Sequence, residues 1–126
     1  MASGSTTKME WVGRGLSAAA SLMFLFSGVM KVIGGPDVAE GMATLGLPVG
    51  LVTTFAVIEL ASVLLYMIPQ TAVLGAILLA GYMGGAILTH LRVGDPIIIQ
   101  IVLGIVVWLG LYLREPRLRE LLPLRR

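Results

Sequence analysis

The chain has 126 residues, 57% of them hydrophobic and 13% charged, with nine lysines and arginines, seven acids, one histidine and no cysteine. Its mean hydropathy is +0.96, whereas a soluble domain carries about a quarter charged residues. This leaves room for one domain, sets it in lipid, and excludes thiol redox chemistry, disulfide relay and thiolate metal sites.

A single histidine with scattered acids does not make a transition-metal site, so no metal is expected. No phosphate-cradling loop, nucleophile elbow or metalloprotease helix motif is present. The net charge of +2 calls for no nucleic-acid partner.

Residues Met1–Glu10 are small and polar and read as a disordered segment. A transmembrane domain is expected over residues 11–113. Its four apolar runs lie at about 15–33, 50–68, 71–91 and 96–113. Each is close to the length that crosses a hydrocarbon core of roughly 30 Å at 1.5 Å per residue. The runs lack polar alternation, so they read as helices and not barrel strands. The first run is too long for a signal peptide, and no small-residue cleavage site follows it. The expected fold is an all-α membrane protein: an antiparallel four-transmembrane-helix bundle with a short interfacial helix in the first outer loop.

Orientation follows from the basic residues. Seven of nine, namely Lys8, Arg14, Arg114, Arg117, Arg119, Arg125 and Arg126, flank the outer ends of the first and last runs. The positive-inside rule then places both termini in the cytoplasm of a bacterial inner (plasma) membrane. Trp11, Tyr66, Trp108 and Tyr112 fall near the same ends, where amphipathic rings prefer to sit. The tail over 114–126 reads as a topology signal resting on anionic headgroups.

The connections carry turn signals. Within "PDVAEGMATLG", Asp37 is placed to cap a short helix, Glu40 to complete a capping box, and Gly46 to end it. Val38, Met42 and Leu45 share one face, which suits a helix lying on the membrane surface over the bundle. Pro69–Gln70 is short enough to make the second and third runs neighbours. In "GAILTHLRVGDP", Gly94 suits a left-handed helix end, Asp95 an N-cap and Pro96 a first helical position. His90 and Arg92 sit in a last turn, where cations favour the helix dipole. Nothing in that turn grammar requires a histidine, so His90 stays open between a structural and a functional reading.

Glu59, in "FAVIELAS", lies near the middle of the second run. An acid there costs several kcal/mol and normally faces the bundle interior as a functional group or a packing hydrogen bond. Tyr82 lies eight residues before His90, about 12 Å deeper, and shares a face with Ala86 and His90. Lys31 ends the first run, with a stem long enough to snorkel outward or reach inward. Gln100 sits one turn into the fourth. Lys31, Glu59, Tyr82, His90 and Gln100 are expected to line one polar pocket in the outer half of the bundle, roofed by the Asp37–Leu45 helix. Glu59, His90 and Tyr82 are the candidate catalytic residues. Lys31, Gln100, Arg92 and Asp95 are the candidate binding residues. Ala72, Ala76, Ala80 and Gly84, with Gly81 and Gly85 beside them, form a small-residue stripe. It suits close helix packing or a homo-oligomer contact.

"RGLSAAASLMFLFSGVMKV", "ELASVLLYMIP" and "GYMGGAILTHLRVGDP" resemble the DoxX family of small four-helix membrane proteins, and specifically its DoxX-like branch. The resemblance covers nearly all of Arg14–Leu113, and its most specific part is Thr89–His90 with Arg92 through Pro96. Name-giving members are similar to membrane subunits of a thiosulfate:quinone oxidoreductase, and relatives accompany redox or thiol-handling systems. Some relatives use cysteines, which this chain lacks. The motifs imply no haem or flavin; a bound quinone or other lipophile is the only cofactor-like group to consider.

Two functions follow. The chain is a membrane subunit or quinone-binding component of a redox system, its tail "REPRLRELLPLRR" docking a protein partner. Alternatively it is a small membrane enzyme performing hydrolysis or isomerisation on a lipophilic substrate, with Glu59 as acid or base. Ion or proton transport is a weaker third, because two or three ionisable groups make a poor relay.

Overall fold

The computed structural model describes residues 7–125, and every regular element in it is helical. The first helix, α1 (Lys8–Ile33), begins well before the apolar run at Gly15. The reason is a capping box. Thr7 Oγ1 accepts from the Glu10 amide at 3.1 Å, and Glu10 Oε1 accepts from the Thr7 amide at 3.0 Å. The expected disorder of Met1–Glu10 therefore fails for Lys8–Glu10, while residues 1–6 lie outside the described residues.

Helix α2 (Pro36–Thr44) follows two glycines with positive φ, Gly34 and Gly35. Its N-cap is Gly35, Pro36 takes the first helical position, and no side chain caps it. Asp37 is thus two residues too late to act as the expected cap. Gly46 ends the helix as expected: at φ 71° it donates to Ala43 O, and Leu47 donates to Met42 O. That bond pair is a Schellman motif, which needs a left-handed residue. Met42 is buried, and Val38 and Leu45 are half-buried, so the expected face turns inward.

Helix α3 (Val52–Met67) follows a single 3-10 turn at Val49–Leu51. A second such turn, Pro69–Thr71, joins it to α4 (Ala72–Arg92). Thr71 Oγ1 donates to Leu65 O at 2.7 Å and satisfies a carbonyl at the end of α3. Helix α4 ends in another Schellman motif. Gly94, at φ 79°, donates to Leu91 O, and the Asp95 amide donates to His90 O. Helix α5 (Ile98–Arg114) starts two residues later than the turn grammar suggests, so Asp95 and Pro96 belong to the connection and not to the cap.

Helices α1, α3, α4 and α5 form a ring in which each packs on two neighbours. Close approach is local and falls on glycine. A Cβ on Gly75 would stand 2.2 Å from the Tyr66 amide nitrogen and 2.5 Å from its Cα, so α4 rests directly on the α3 backbone. A Cβ on Gly110 would stand 2.9 Å from the Ser17 nitrogen, which brings the end of α5 against the start of α1. The expected small-residue stripe divides accordingly. Ala72 and Ala76 are buried, whereas a Cβ at Gly81, Gly84 or Gly85 meets nothing.

The surface reverses the usual order. Leu22, Phe26, Leu88 and Ile98 are about two-thirds exposed or more, while Ser17, Ser21, Glu59 and Ser62 are buried. Such an apolar exterior matches lipid, where polar side chains turn to the interior. Three segments, Lys8–Ile33, Val49–Met67 and Pro69–Arg92, are long and apolar enough to cross a membrane. The fourth apolar helix, Ile98–Arg114, has 17 residues, about 25 Å of rise. The chain is a multi-pass helical membrane protein.

Two places depart from the sequence reading at the end that holds both termini. Tyr66, expected at the interface, is fully buried. Its hydroxyl donates to Val107 O at 2.6 Å and pairs with Ser17 Oγ at 2.8 Å. The tail folds back as α6 (Pro116–Leu121). Leu118 enters the core, and Arg119 Nη1 donates to the Tyr112 and Leu113 carbonyls at 2.8 and 3.0 Å. An arginine there satisfies the last carbonyls of α5.

Candidate functional site

Glu59 is the centre of a polar cluster inside the ring. It lies midway along α3 and only 2% of it is exposed. Lys31 approaches from the last turn of α1, and its Nζ sits 2.9 Å from Glu59 Oε1. Ser27, one turn earlier on α1, donates to the same oxygen at 3.2 Å and accepts from Lys31 Nζ at 2.7 Å. Tyr82, midway along α4, donates to it at 3.3 Å. Three donors from two helices thus converge on one carboxylate oxygen.

Each donor has a local cause. The four-residue spacing of Ser27 and Lys31 stacks them on one face of α1. Gly28 lets that face come close to α3, since a Cβ there would overlap the Leu60 side chain. The lysine stem folds inward, with 23% of the side chain left exposed. A buried carboxylate in a low-dielectric setting needs such partners, because an unpaired one costs several kcal/mol.

The donor count leaves capacity unused. Among the described residues, Glu59 Oε2 accepts no hydrogen bond, and Lys31 Nζ spends two of its three N–H donors. One acceptor and one donor therefore remain on adjacent groups.

His90 and Gln100 form a separate pair. His90 Nδ1 lies 2.7 Å from Ala86 O, and His90 Nε2 lies 3.3 Å from Gln100 Nε2. A carbonyl only accepts, so Nδ1 carries the proton and Nε2 accepts from the Gln100 amide. This leaves Gln100 Oε1 buried without a partner. Arg92 is engaged elsewhere: its Nη2 donates to Leu45 O, tying the C-terminal end of α2 to the end of α4. Asp95 contributes its backbone amide to the α4 Schellman motif.

The structure therefore brings together Lys31, Glu59 and Tyr82 and sets His90 with Gln100 in a second pair. Arg92 and Asp95 serve the turn. Among the clefts along the helices, two have linings that do not include Glu59, Lys31 or Tyr82. One, of about 410 Å³, lies between α4 and α5 and includes Gln100, Met83 and Trp108. The other, of about 360 Å³, lies by Arg14 and Arg114. No group of three or more metal-ligating side chains occurs among the described residues.

Sequence reasoning missed Ser27, although its position four residues before Lys31 carries the signal. It also missed the Ser17–Tyr66–Val107 bridge. Only a small-residue face on α1, running through Gly13, Ser17, Ala20, Ser21 and Gly28, hints at what Tyr66 enters.

No curated protein and no solved structure shows significant similarity to the chain. Residues 15–112, more than three quarters of the sequence, match the DoxX-like family. Of the four ring helices, α3 and α4 lie wholly within that span, α1 lies in it from Gly15 onward and α5 up to Tyr112. By that match the chain belongs to the DoxX-like family.

Proposed function

We propose that this protein is a small-lipophile binding component of a membrane redox system, and that the Lys31–Glu59–Tyr82 cluster receives a quinone-like headgroup. The observation that carries this reading is the unused pair of sites on the cluster, one N–H on Lys31 and one oxygen on Glu59. A quinone carbonyl accepts from an ammonium, and a quinol hydroxyl donates to a carboxylate. One cluster thereby accommodates both redox forms. A bundle needing only to pack would place a leucine at position 59 at far lower cost in lipid.

In this reading α1, α3, α4 and α5 are four antiparallel transmembrane helices and α2 lies at the outer interface. Residues 11–113 form the membrane domain, and 114–126 form a basic cytoplasmic tail. Both termini face the cytoplasm of a bacterial inner membrane. Arg117 and Arg125, exposed on that tail, are the basic groups that would meet a protein partner, while Leu118 and Arg119 are occupied within the bundle.

The test is chemical extraction. Protein purified in mild detergent from its native membrane is extracted with organic solvent and the extract identified by mass spectrometry. The reading expects a quinone-like lipophile near one per chain, depleted in Glu59→Gln. An extract holding only bulk phospholipid, identical in both proteins, overturns it.

A further inference from the structure

A second polar site lies at the opposite end of the bundle from Lys31. The cleft of about 360 Å³ there is lined by Arg14, Ser17, Ser21, Tyr66 and Arg114, and it continues along Leu22, Leu25 and Met67. We propose that it binds the phosphate headgroup of an anionic membrane lipid, with Arg14 and Arg114 as the two ligands.

Charge comes first. The cleft holds two guanidinium groups and no carboxylate. Among the described residues the single ion pair is Lys31–Glu59, so neither arginine is in direct contact with an acid. Glu10, one helical turn before Arg14, has its carboxylate turned back onto Thr7. The Arg114 Nε is buried with no partner.

Geometry comes second. Arg114 Cζ stands 5.3 Å from the centre of the Tyr66 ring, and Arg14 Cζ stands 5.1 Å from that of Trp11. Stacking holds a guanidinium by its face and leaves its N–H edge free, the edge that pairs with phosphate oxygens. Tyr66 is itself fixed by Ser17 and Val107, so the platform under Arg114 is rigid.

The walls decide the source of the phosphate. A free anion has no use for Leu22, Leu25 and Met67, which run from the arginines along the apolar face of the bundle. A phospholipid does, because its acyl chains follow its headgroup in that direction. Leu22 is 68% exposed and so presents an open apolar surface to such a chain.

The experiment is native mass spectrometry of the full chain. The protein is released from phosphatidylcholine nanodiscs containing a minor fraction of phosphatidylglycerol. The variants are Arg14→Gln, Arg114→Gln and the double substitution, with Arg125→Gln as the control for a basic residue outside the cleft. One phosphatidylglycerol is expected to stay bound to the wild type in preference to phosphatidylcholine. Each cleft arginine removed is expected to weaken retention about fivefold, and Arg125→Gln to leave it unchanged. Arg14 is exposed and makes no hydrogen bond or ion pair among the described residues, so Arg14→Gln decides the matter even if Arg114→Gln fails to fold. Equal retention of the two lipids by the wild type, or undiminished retention in Arg14→Gln, overturns the proposal. A second arm adds inorganic phosphate. If phosphate alone occupies the site and phosphatidylglycerol does not, the ligand is a free anion and the assignment to lipid is wrong.

Discussion

Lys31 Nζ lies 2.9 Å from Glu59 Oε1, joining the end of α1 to the middle of α3 inside an apolar ring of helices. A pair in this position costs desolvation on both sides and returns it only while both partners are present. Removing either one leaves the other uncompensated.

Lys31→Met is therefore expected to destabilise the protein more than Lys31→Met/Glu59→Gln, which removes both charges. The single substitution should cost on the order of 1–3 kcal/mol, below the value for a fully enclosed pair because the lysine keeps some exposure. Thermal unfolding in detergent, run as a double-mutant cycle, gives the coupling energy. A cycle showing strictly additive losses would remove the ion pair from the account of the fold.

Gly75→Ala tests the closest helix contact. Its Cβ would meet the Tyr66 backbone, which cannot swing aside as a side chain can. The expected cost is about 1–3 kcal/mol. Gly84→Ala, where nothing lies within 4 Å, should raise the unfolding temperature slightly, through the roughly 0.5–1 kcal/mol that alanine gains over glycine in a helix. Two substitutions of the same type on one helix thus separate packing from propensity.

Tyr66→Phe removes one hydroxyl and orphans the buried Ser17 Oγ. A loss of about 1 kcal/mol is expected. Tyr82→Phe should cost less stability, because Glu59 Oε1 keeps its bonds from Lys31 and Ser27. Its effect should fall on ligand retention instead.

The tail is structural as well as basic. Leu118→Ala removes a buried side chain from the core at an expected cost of about 2 kcal/mol. Arg119→Ala frees two α5 carbonyls for well under half of that. Chemical denaturation in mixed micelles ranks the two. Partner co-purification is to be compared in Arg117→Gln and Arg125→Gln, which leave α6 packed.

Much of this fold is readable from the chain because lipid imposes strong rules. Four apolar runs of near-spanning length become four helices, and Gly46 and Gly94 both end helices in left-handed geometry as their positions suggest. What escapes is helix rotation. Lys31, Glu59 and Tyr82 meet, yet His90 points to Ala86 and Gln100, because the pocket inferred from depth alone assumes how each helix turns about its axis. Tyr66 escapes for a related reason. Depth places it at an interface, while the contact of Gly75 with the α3 backbone and the small face of α1 draw its ring inward. Caps are the third weakness. Asp37 and Asp95 both suit N-caps by residue type, and in each case the helix start is set by neighbouring backbone instead.

The most direct measurement is equilibrium binding of a short-chain quinone to the detergent-solubilised protein by calorimetry, with Glu59→Gln in parallel. Saturable binding at one site in the wild type, weakened at least tenfold by the substitution, is the expected result. No heat of binding in the wild type, or equal affinity in the two proteins, would contradict a headgroup site built on Lys31, Glu59 and Tyr82.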